Sequence, residues 1–352
     1  MKRALSLLIS VLVFPVAAWA AEGRFPIWEP TTITTGGHYV LTQDVSALGG
    51  PAISIVGGIG DVEIDLNGFT VSTSPPGAAV IQANALGSVT LRNGTVRGTP
   101  FGPAVQLVGV AQVRLDRLKV DRAGADCVTI TDASGVIITD NMIQTCGGAA
   151  LAIEVTGALA RTRGTIEGNQ LSDTFEGIRI RTVTSMTLRN NQIRTTTGGN
   201  GITLQDCAGC LLTENVVDQT ASHGIFVTAT RGVKLFNNVI TSASGHGIWL
   251  VGGVSDGLVL HNVVTGSTQA GIASDGERMQ VDQNVLTNNR GFGLWFSGAA
   301  KRNTYGRNTM RGNFGLGPPC LGFIASCVVP DFCDDGAGNS SFGDNAGPIP
   351  GC

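Results

Sequence analysis

The chain has 352 residues, with 23 Lys and Arg against 26 Asp and Glu and only 14% charged side chains. That balance supplies no field for a polyphosphate and excludes nucleic acid as an expected partner. Fifty glycines, two tyrosines and 42% apolar residues suit tightly turning strands better than a helical bundle.

At the N-terminus Lys2 and Arg3 precede an apolar run from Leu5 to Val13, followed by Ala18-Trp19-Ala20. This is the layout of an export signal over residues 1–21 with a small-residue cleavage site. Its apolar run is too short for a membrane span, and nothing later reaches the roughly 18 uninterrupted apolar residues that a spanning helix needs. The expected location is therefore the periplasm or the extracellular space, with no membrane span. Loss of Lys2 and Arg3 leaves 21 basic side chains against 26 acidic ones.

Residues 22–45 carry no repeat and are expected to form a cap over the first strand edge of the repeat region. From about residue 46 a phrase of small residue, apolar, any, apolar recurs. Weaker copies start at Ala52, Ala78, Ala104, Cys127 and Ala150. Clear copies are Gly177-Ile178-Arg179-Ile180, Gly201-Ile202-Thr203-Leu204, Gly224-Ile225-Phe226-Val227, Gly247-Ile248-Trp249-Leu250, Gly271-Ile272-Ala273-Ser274 and Gly293-Leu294-Trp295-Phe296. The clear copies are spaced by 24, 23, 23, 24 and 22 residues. A second phrase comes after each at a fixed lag, as in Met186-Thr187-Leu188-Arg189-Asn190-Asn191, and its Asn recurs at 141, 169, 191, 215, 238, 262, 284 and 308. Segments this short with period-two alternation are strands, so each repeat predicts about three strands and three turns. A period near two dozen residues predicts a solenoid, here all-β, of about eleven coils over residues 46–313. The Asn column reads as scaffold: a turn Asn tolerates left-handed backbone, and stacked amides bond from coil to coil.

The repeat ends near Phe314, and residues 314–352 are expected to form a Cys-rich cap. All eight cysteines, Cys127, Cys146, Cys207, Cys210, Cys320, Cys327, Cys333 and Cys352, lie beyond the export signal, and an even count in an exported chain predicts disulfides. The pairing is open among 105 connectivities. Cys207-Ala208-Gly209-Cys210 is read as a local disulfide in preference to a redox or metal pair, and no metal site is expected elsewhere. Asp334-Asp335-Gly336 through Asp344-Asn345 offers clustered oxygens for calcium, but misses the spacing of a calcium loop, so no cofactor is expected.

These phrases resemble the pectate-lyase-like superfamily of right-handed parallel β-helix proteins, over roughly residues 50–313. Val62-Glu63-Ile64-Asp65-Leu66-Asn67-Gly68-Phe69 is similar to the opening coil of its bacterial members. The resemblance implies the fold and, since the superfamily holds lyases, hydrolases, epimerases, tailspikes and adhesins, leaves the activity open. Asp126-Cys127-Val128-Thr129-Ile130, Gly245-His246-Gly247-Ile248 and Arg179-Ile180-Arg181 resemble polygalacturonase motifs. Ala125 replaces the second acid, the order differs, and the groups are expected to spread over about five coils, so these matches are read as coincidences of the repeat.

In each strand the residue between two inward apolar positions points outward. One outward column is therefore Gln106, Thr129, Ala152, Arg179, Thr203, Phe226, Trp249, Ala273 and Trp295. Another, two residues on, contains Glu154, Arg181 and Gln205. Phe226, Trp249 and Trp295 predict a platform for sugar rings, with Arg181 and Glu154 as further substrate contacts; the competing expectation is a tail folded over them, above all over Trp295. One position before each Gly, His223 and His246 should stack one coil apart. Two imidazoles near neutral pKa form a candidate acid/base pair, against the reading that both are turn residues. Glu176 and Arg179 complete the catalytic candidates; the alternative is that Glu176 with Arg179, and Glu154 with Arg181, are surface ion pairs. The resulting expectation is an exported protein that binds an extended polysaccharide along one strand face, as a lyase, hydrolase or epimerase or without catalysis. The alternative is a noncatalytic, adhesin-like scaffold. Oligomeric state is left open.

Overall fold

The computed structural model describes residues 23–84, 87–157, 162–314 and 332–341. All its regular elements are strands, paired in parallel into one continuous superhelix. Each coil contributes up to three strands. The Gly-Ile-x-Leu phrases form the face sheet, seen in Ile202–Ala208, Ile225–Thr228, Ile248–Val251, Ile272–Ser274 and Leu294–Phe296. A second sheet stacks Leu211–Thr213, Lys234–Phe236 and Leu258–Leu260, and a third stacks Val216–Asp218, Val239–Thr241 and Val263–Thr265.

Inward positions are continuous columns of Ile, Val and Leu: Ile225, Ile248 and Ile272 are each 0% exposed. The glycine of each phrase is a close approach between sheets. A Cβ on Gly224 would run into Ile240 Cγ2 of the third sheet and the carbonyl of Gly247 in the next coil. The repeat is thus enforced by apolar burial on three sides and by one position per coil where no side chain fits.

The Asn column bonds from coil to coil through buried amides. Asn141 Nδ2 donates to Asn169 Oδ1 (2.8 Å), Asn169 to Asn191 (2.9 Å), Asn191 to Asn215 (3.0 Å) and Asn215 to Asn238 (2.9 Å), and the chain of bonds continues through Asn262 and Asn284 to Asn308. One element of the expectation is corrected. The ladder asparagines have ordinary backbone; the residue before each is left-handed, including Asp140, Asn190, Glu214, Asn237, His261, Gln283 and Arg307. The ladder amide holds the turn that its neighbour's strained backbone makes, and that strain costs roughly 1–2 kcal/mol in a non-glycine residue.

The solenoid extends beyond residues 46–313. The segment expected as a cover, residues 22–45, contributes strands: Phe25–Ile27 pairs with Gly37–Leu41, Thr31–Ile33 with Ile53–Ile55, and Val45–Ala47, at its end, with Thr70–Thr73. At the other end Phe332–Asp334 adds a rung on Leu294–Phe296. Three-residue strands with no glycine phrase still continue the ladder because the backbone edge, not the phrase, is the template. Cys127–Cys146 and Cys207–Cys210 form disulfides, with Cα–Cα distances of 5.5 and 5.9 Å, and Cys333 is disulfide-bonded. The expected export signal (1–21), Cys320, Cys327 and Cys352, and most of the expected cap lie outside the described residues. No helix among the described residues is long and apolar enough to cross a membrane.

Candidate functional site

The register brings the outward residues of the face sheet into columns. Ala152, Arg179, Thr203, Phe226, Trp249, Ala273 and Trp295 are successive partners, with Cys333 next in line. Beside them runs the column that precedes each glycine: Asp126, Ala149, Glu176, Asn200, His223, His246, Ala270 and Phe292. Its members are tied upward by bonds such as Ala149 N to Asp126 Oδ1 (2.6 Å) and His223 N to Asn200 Oδ1 (3.0 Å).

Alanine occurs in both columns on two coils, and each time the neighbours close over the gap. Ala149 and Ala152 occupy one coil and are 0% and 5% exposed. Across it the Arg179 guanidinium reaches two rungs down to Asp126, with Nη2 to Oδ2 at 2.5 Å, and Nη1 bonds Glu176 Oε2 at 3.3 Å. Thr203 Oγ1 donates to Glu176 Oε1, and Asn200 Nδ2 donates to Thr203 Oγ1 (2.9 Å). The expected Glu176–Arg179 pair is present. Asp126, whose motif was read as a coincidence of the repeat, completes it because a long side chain crosses a coil floored by methyl groups. Glu154 and Arg181 are register partners but form no ion pair, and Arg181 Nε is buried without a hydrogen bond.

The second alanine coil carries Ala270 and Ala273, and here aromatic groups close the gap. Trp249 and Trp295 pack against Ala270, Ala273, Phe292 and Cys333, each tryptophan remaining partly exposed. The rings are contiguous: Phe226 to Trp249 5.3 Å, His223 to Trp249 4.6 Å, His223 to His246 5.5 Å, His246 to Trp249 5.4 Å, and His246 across the gap to Trp295 5.9 Å. These separations are those of attractive aromatic contacts. Trp295 takes a neighbour from the tail, where Cys333 is its rung partner and Asp335 Oδ2 lies 3.5 Å from its Nε1. Phe226 and Trp249 keep part of each ring at the surface.

The backbone assigns the histidine tautomers. His246 N–H donates to His223 Nδ1 (2.9 Å), and Ala270 N–H donates to His246 Nδ1 (3.1 Å). Each Nδ1 is an acceptor, so each neutral ring carries its proton on Nε2. Burial lowers the His223 pKa from 6.5 to about 4; burial and then the charge of His223 lower that of His246 to about 4. The near-neutral pair expected from the sequence is thus corrected to two neutral hydrogen-bond donors at physiological pH. Sequence reasoning missed Asp126 as a partner of Arg179, and located Asn200 and Thr203 in their columns without giving either a role. The doubled alanines were the available signal.

Among the described residues no group of three His, Cys, Asp or Glu side chains is arranged to hold a metal. In the segment considered for calcium, Asp334 Oδ1 accepts bonds from Gly336 N (2.9 Å) and Asn339 Nδ2 (2.8 Å), while residues 344–345 lie outside the described residues.

Residues 103–264 match the family model described as the right handed beta helix region. No curated protein sequence matches the chain. Among solved structures the chain is similar to the periplasmic alginate epimerase AlgG, at 15% identity and a TM-score of 0.59 over 92% of this chain and 79% of the other. A single-substitution mutant of that enzyme gives 14%, 0.53, 86% and 77% in the same order. The A-module of the mannuronan C-5 epimerase AlgE6 from Azotobacter vinelandii is 16% identical with a TM-score of 0.48, over 89% of this chain and 80% of the other. At such identities the likeness is one of architecture. Together with the in-register parallel ladders, the likeness to AlgG shows the fold, a right-handed parallel β-helix, and the family-model match spans 162 of the 352 residues.

Proposed function

We propose that the protein holds an extended polysaccharide along its face sheet, with Phe226 and Trp249 as stacking surfaces and Trp295 closing the far end. One observation carries this reading: five rings on three coils form a continuous strip in which Phe226, Trp249 and Trp295 are partly exposed. Aromatic area left at a surface is unfavourable in water unless a ligand covers it, and sugar C–H faces cover rings well. Neutral His223 and His246 add Nε2–H donors for hydroxyl or ring oxygens. The architecture shared with an alginate epimerase supports a glycan ligand.

The triad Asp126–Arg179–Glu176 is the site's charged element, separated from the strip by the coil of Asn200 and Thr203. One guanidinium bridges both carboxylates, which places a cation between two acids on the face and serves charge placement beside a bound sugar. Affinity electrophoresis in gels cast with acidic or neutral polysaccharide tests the binding reading. Trp249→Ala is expected to weaken retention about tenfold, a change of about 1.4 kcal/mol. Unchanged retention, or no retention of the wild type in any gel, removes it. Turnover is read in parallel from reducing ends and from the ultraviolet absorbance of unsaturated products. Activity that Glu176→Gln abolishes supports an enzyme, and its absence on every glycan supports a noncatalytic binder.

A further inference from the structure

A groove of about 560 Å³ lies off the face sheet, at the corner where the third sheet turns into it, and runs past four successive coils. At 4.8 Å per rung this is roughly 14 Å along the axis. Its floor is small: a Cβ on Gly124 would strike the backbone of Phe101, and one on Gly147 would strike Gly124. Its walls include Arg97 and Arg122 at one end and Thr145 and Asp173 at the other.

Two features distinguish this corner from a passive crease. The first is apolar. Phe101, next to the lining residue Pro100 and with its backbone against Gly124 of the floor, is 81% exposed, so an aromatic ring stands free beside the arginine end of the groove; Phe175, two residues past Asp173, lies instead against Gly198 of the coil beyond. Phe101 also has φ of 72°, a left-handed backbone that a bulky residue adopts only when the surrounding structure imposes it. Solvation alone favours neither the exposed ring nor its strained backbone. The second is charge. Arg97 is in no ion pair among the described residues, and Arg122 uses only its Nε, at 3.3 Å from Asp121 Oδ2, while its side chain is 67% exposed. Two guanidinium groups with free N–H donors thus face one groove on a chain that is acidic overall.

We propose that this corner groove is a second glycan site, separate from the face-sheet strip, that selects sugars bearing an oxyanion. Phe101 stacks on a sugar ring at the arginine end. Arg97 and Arg122 donate to the carboxylate or sulfate ester, a geometry that guanidinium groups favour. Asp173 and Thr145 take hydroxyl groups at the opposite end, where the Asp173 carboxylate repels an anion and so fixes the direction of the bound sugar. The proposal rests on the glycan reading above but on none of the residues of the strip.

Calorimetric titration of the full chain with size-matched oligosaccharides that are neutral, carboxylated or sulfated tests it. The wild type is expected to bind at least one charged series more tightly than the neutral one; the preferred series identifies the anion. Arg97→Ala with Arg122→Ala should weaken that binding at least tenfold and leave neutral binding unchanged, and Phe101→Ala should weaken it severalfold while Trp249→Ala leaves the charge preference intact. Both arginines and Phe101 are exposed, so far-UV circular dichroism should be unaltered. Glycan binding that ignores charge, or that survives the double arginine change, overturns the groove site and leaves the face-sheet reading standing. A charge preference abolished by Trp249→Ala moves selectivity to the strip and also overturns it. Absence of binding to all three series overturns both readings.

Discussion

His223 and His246 illustrate how a residue's chemistry is set by its coil neighbours. Each ring accepts a backbone N–H at Nδ1, and protonation there would set two hydrogens against each other. With folded pKa values of about 4 against 6.5 for the free side chain, the unfolded chain binds more protons between those pH values. Stability is therefore expected to be fully present above pH 6.5 and to fall as the pH drops towards 4. The loss is at most about 3 kcal/mol for His246 and smaller for His223, whose partial exposure lets solvent screen it, and less for the pair than the sum because the two rings interact. Urea unfolding at pH 7 and pH 4.5 measures it: His223→Gln with His246→Gln should flatten this part of the profile, and an unchanged slope would show that the rings are hydrated. None of this was legible in a Ser-His-Gly or Gly-His-Gly triplet. The columns were, since a fixed period with in-register pairing places His223 under His246 from numbers alone. The contacts across Ala149 and Ala270 were not, because periodicity locates a Cβ and says nothing about how far an arginine or an indole reaches.

At the scale of the turn, Asn190 and Asn191 are the same residue in the same dipeptide with opposite duties. Asn190 has φ of 54° and is exposed; Asn191 is buried and ordinary in backbone. The Asn191 amide donates to Ile166 O (2.8 Å) and Asn215 Oδ1 (3.0 Å), and its Oδ1 accepts from Asn169 N (3.1 Å) and Nδ2 (2.9 Å). Asn191→Ala strips partners from several buried polar groups and should cost about 3 kcal/mol, each unsatisfied group being worth about 1–3 kcal/mol. Asn190→Gly should change stability by no more than about 1 kcal/mol, in the favourable direction if relief of the left-handed strain exceeds the entropy of a more flexible unfolded chain. Chemical denaturation of the two variants separates them, and equal effects would contradict the assigned roles. The sequence identified the column as scaffold but attached the left-handed backbone to the wrong member of each pair, since Asn is at home in both settings. Glu214, Gln283 and Arg307 at the left-handed position show that the ladder imposes the turn whatever precedes it.

For the whole molecule, the coil is the unit of length. Excising residues 225–247 joins Gly224 to Ile248 in register, and Asn215 then meets Asn262. Because each coil contacts chiefly its neighbours, the shortened chain should fold with the same circular dichroism per residue and a proportionately smaller m-value in urea. Excising residues 225–236 instead turns inward columns out and should yield no folded product. Equal outcomes would show that the period does not define the fold. The central coils were readable because glycine and asparagine punctuate them. The terminal rungs were not, as Thr31–Ile33 and Phe332–Asp334 carry neither mark and owe their place to the strand edge beside them.

Ala149 with Ala152, and Ala270 with Ala273, show where such a molecule keeps its freedom. In most folds a recess is bounded by loops, and reshaping it means moving backbone. Here each gap lies on the stacked ladder, with Ala152 and Ala273 in paired strands, and a long side chain from a neighbouring coil roofs it. Shortening the groups that roof the two gaps, Arg179 over one and Trp295 over the other, would re-contour the surface while the rungs beneath keep their pairing, so recognition can drift by point changes on a frame that need not adjust to any of them.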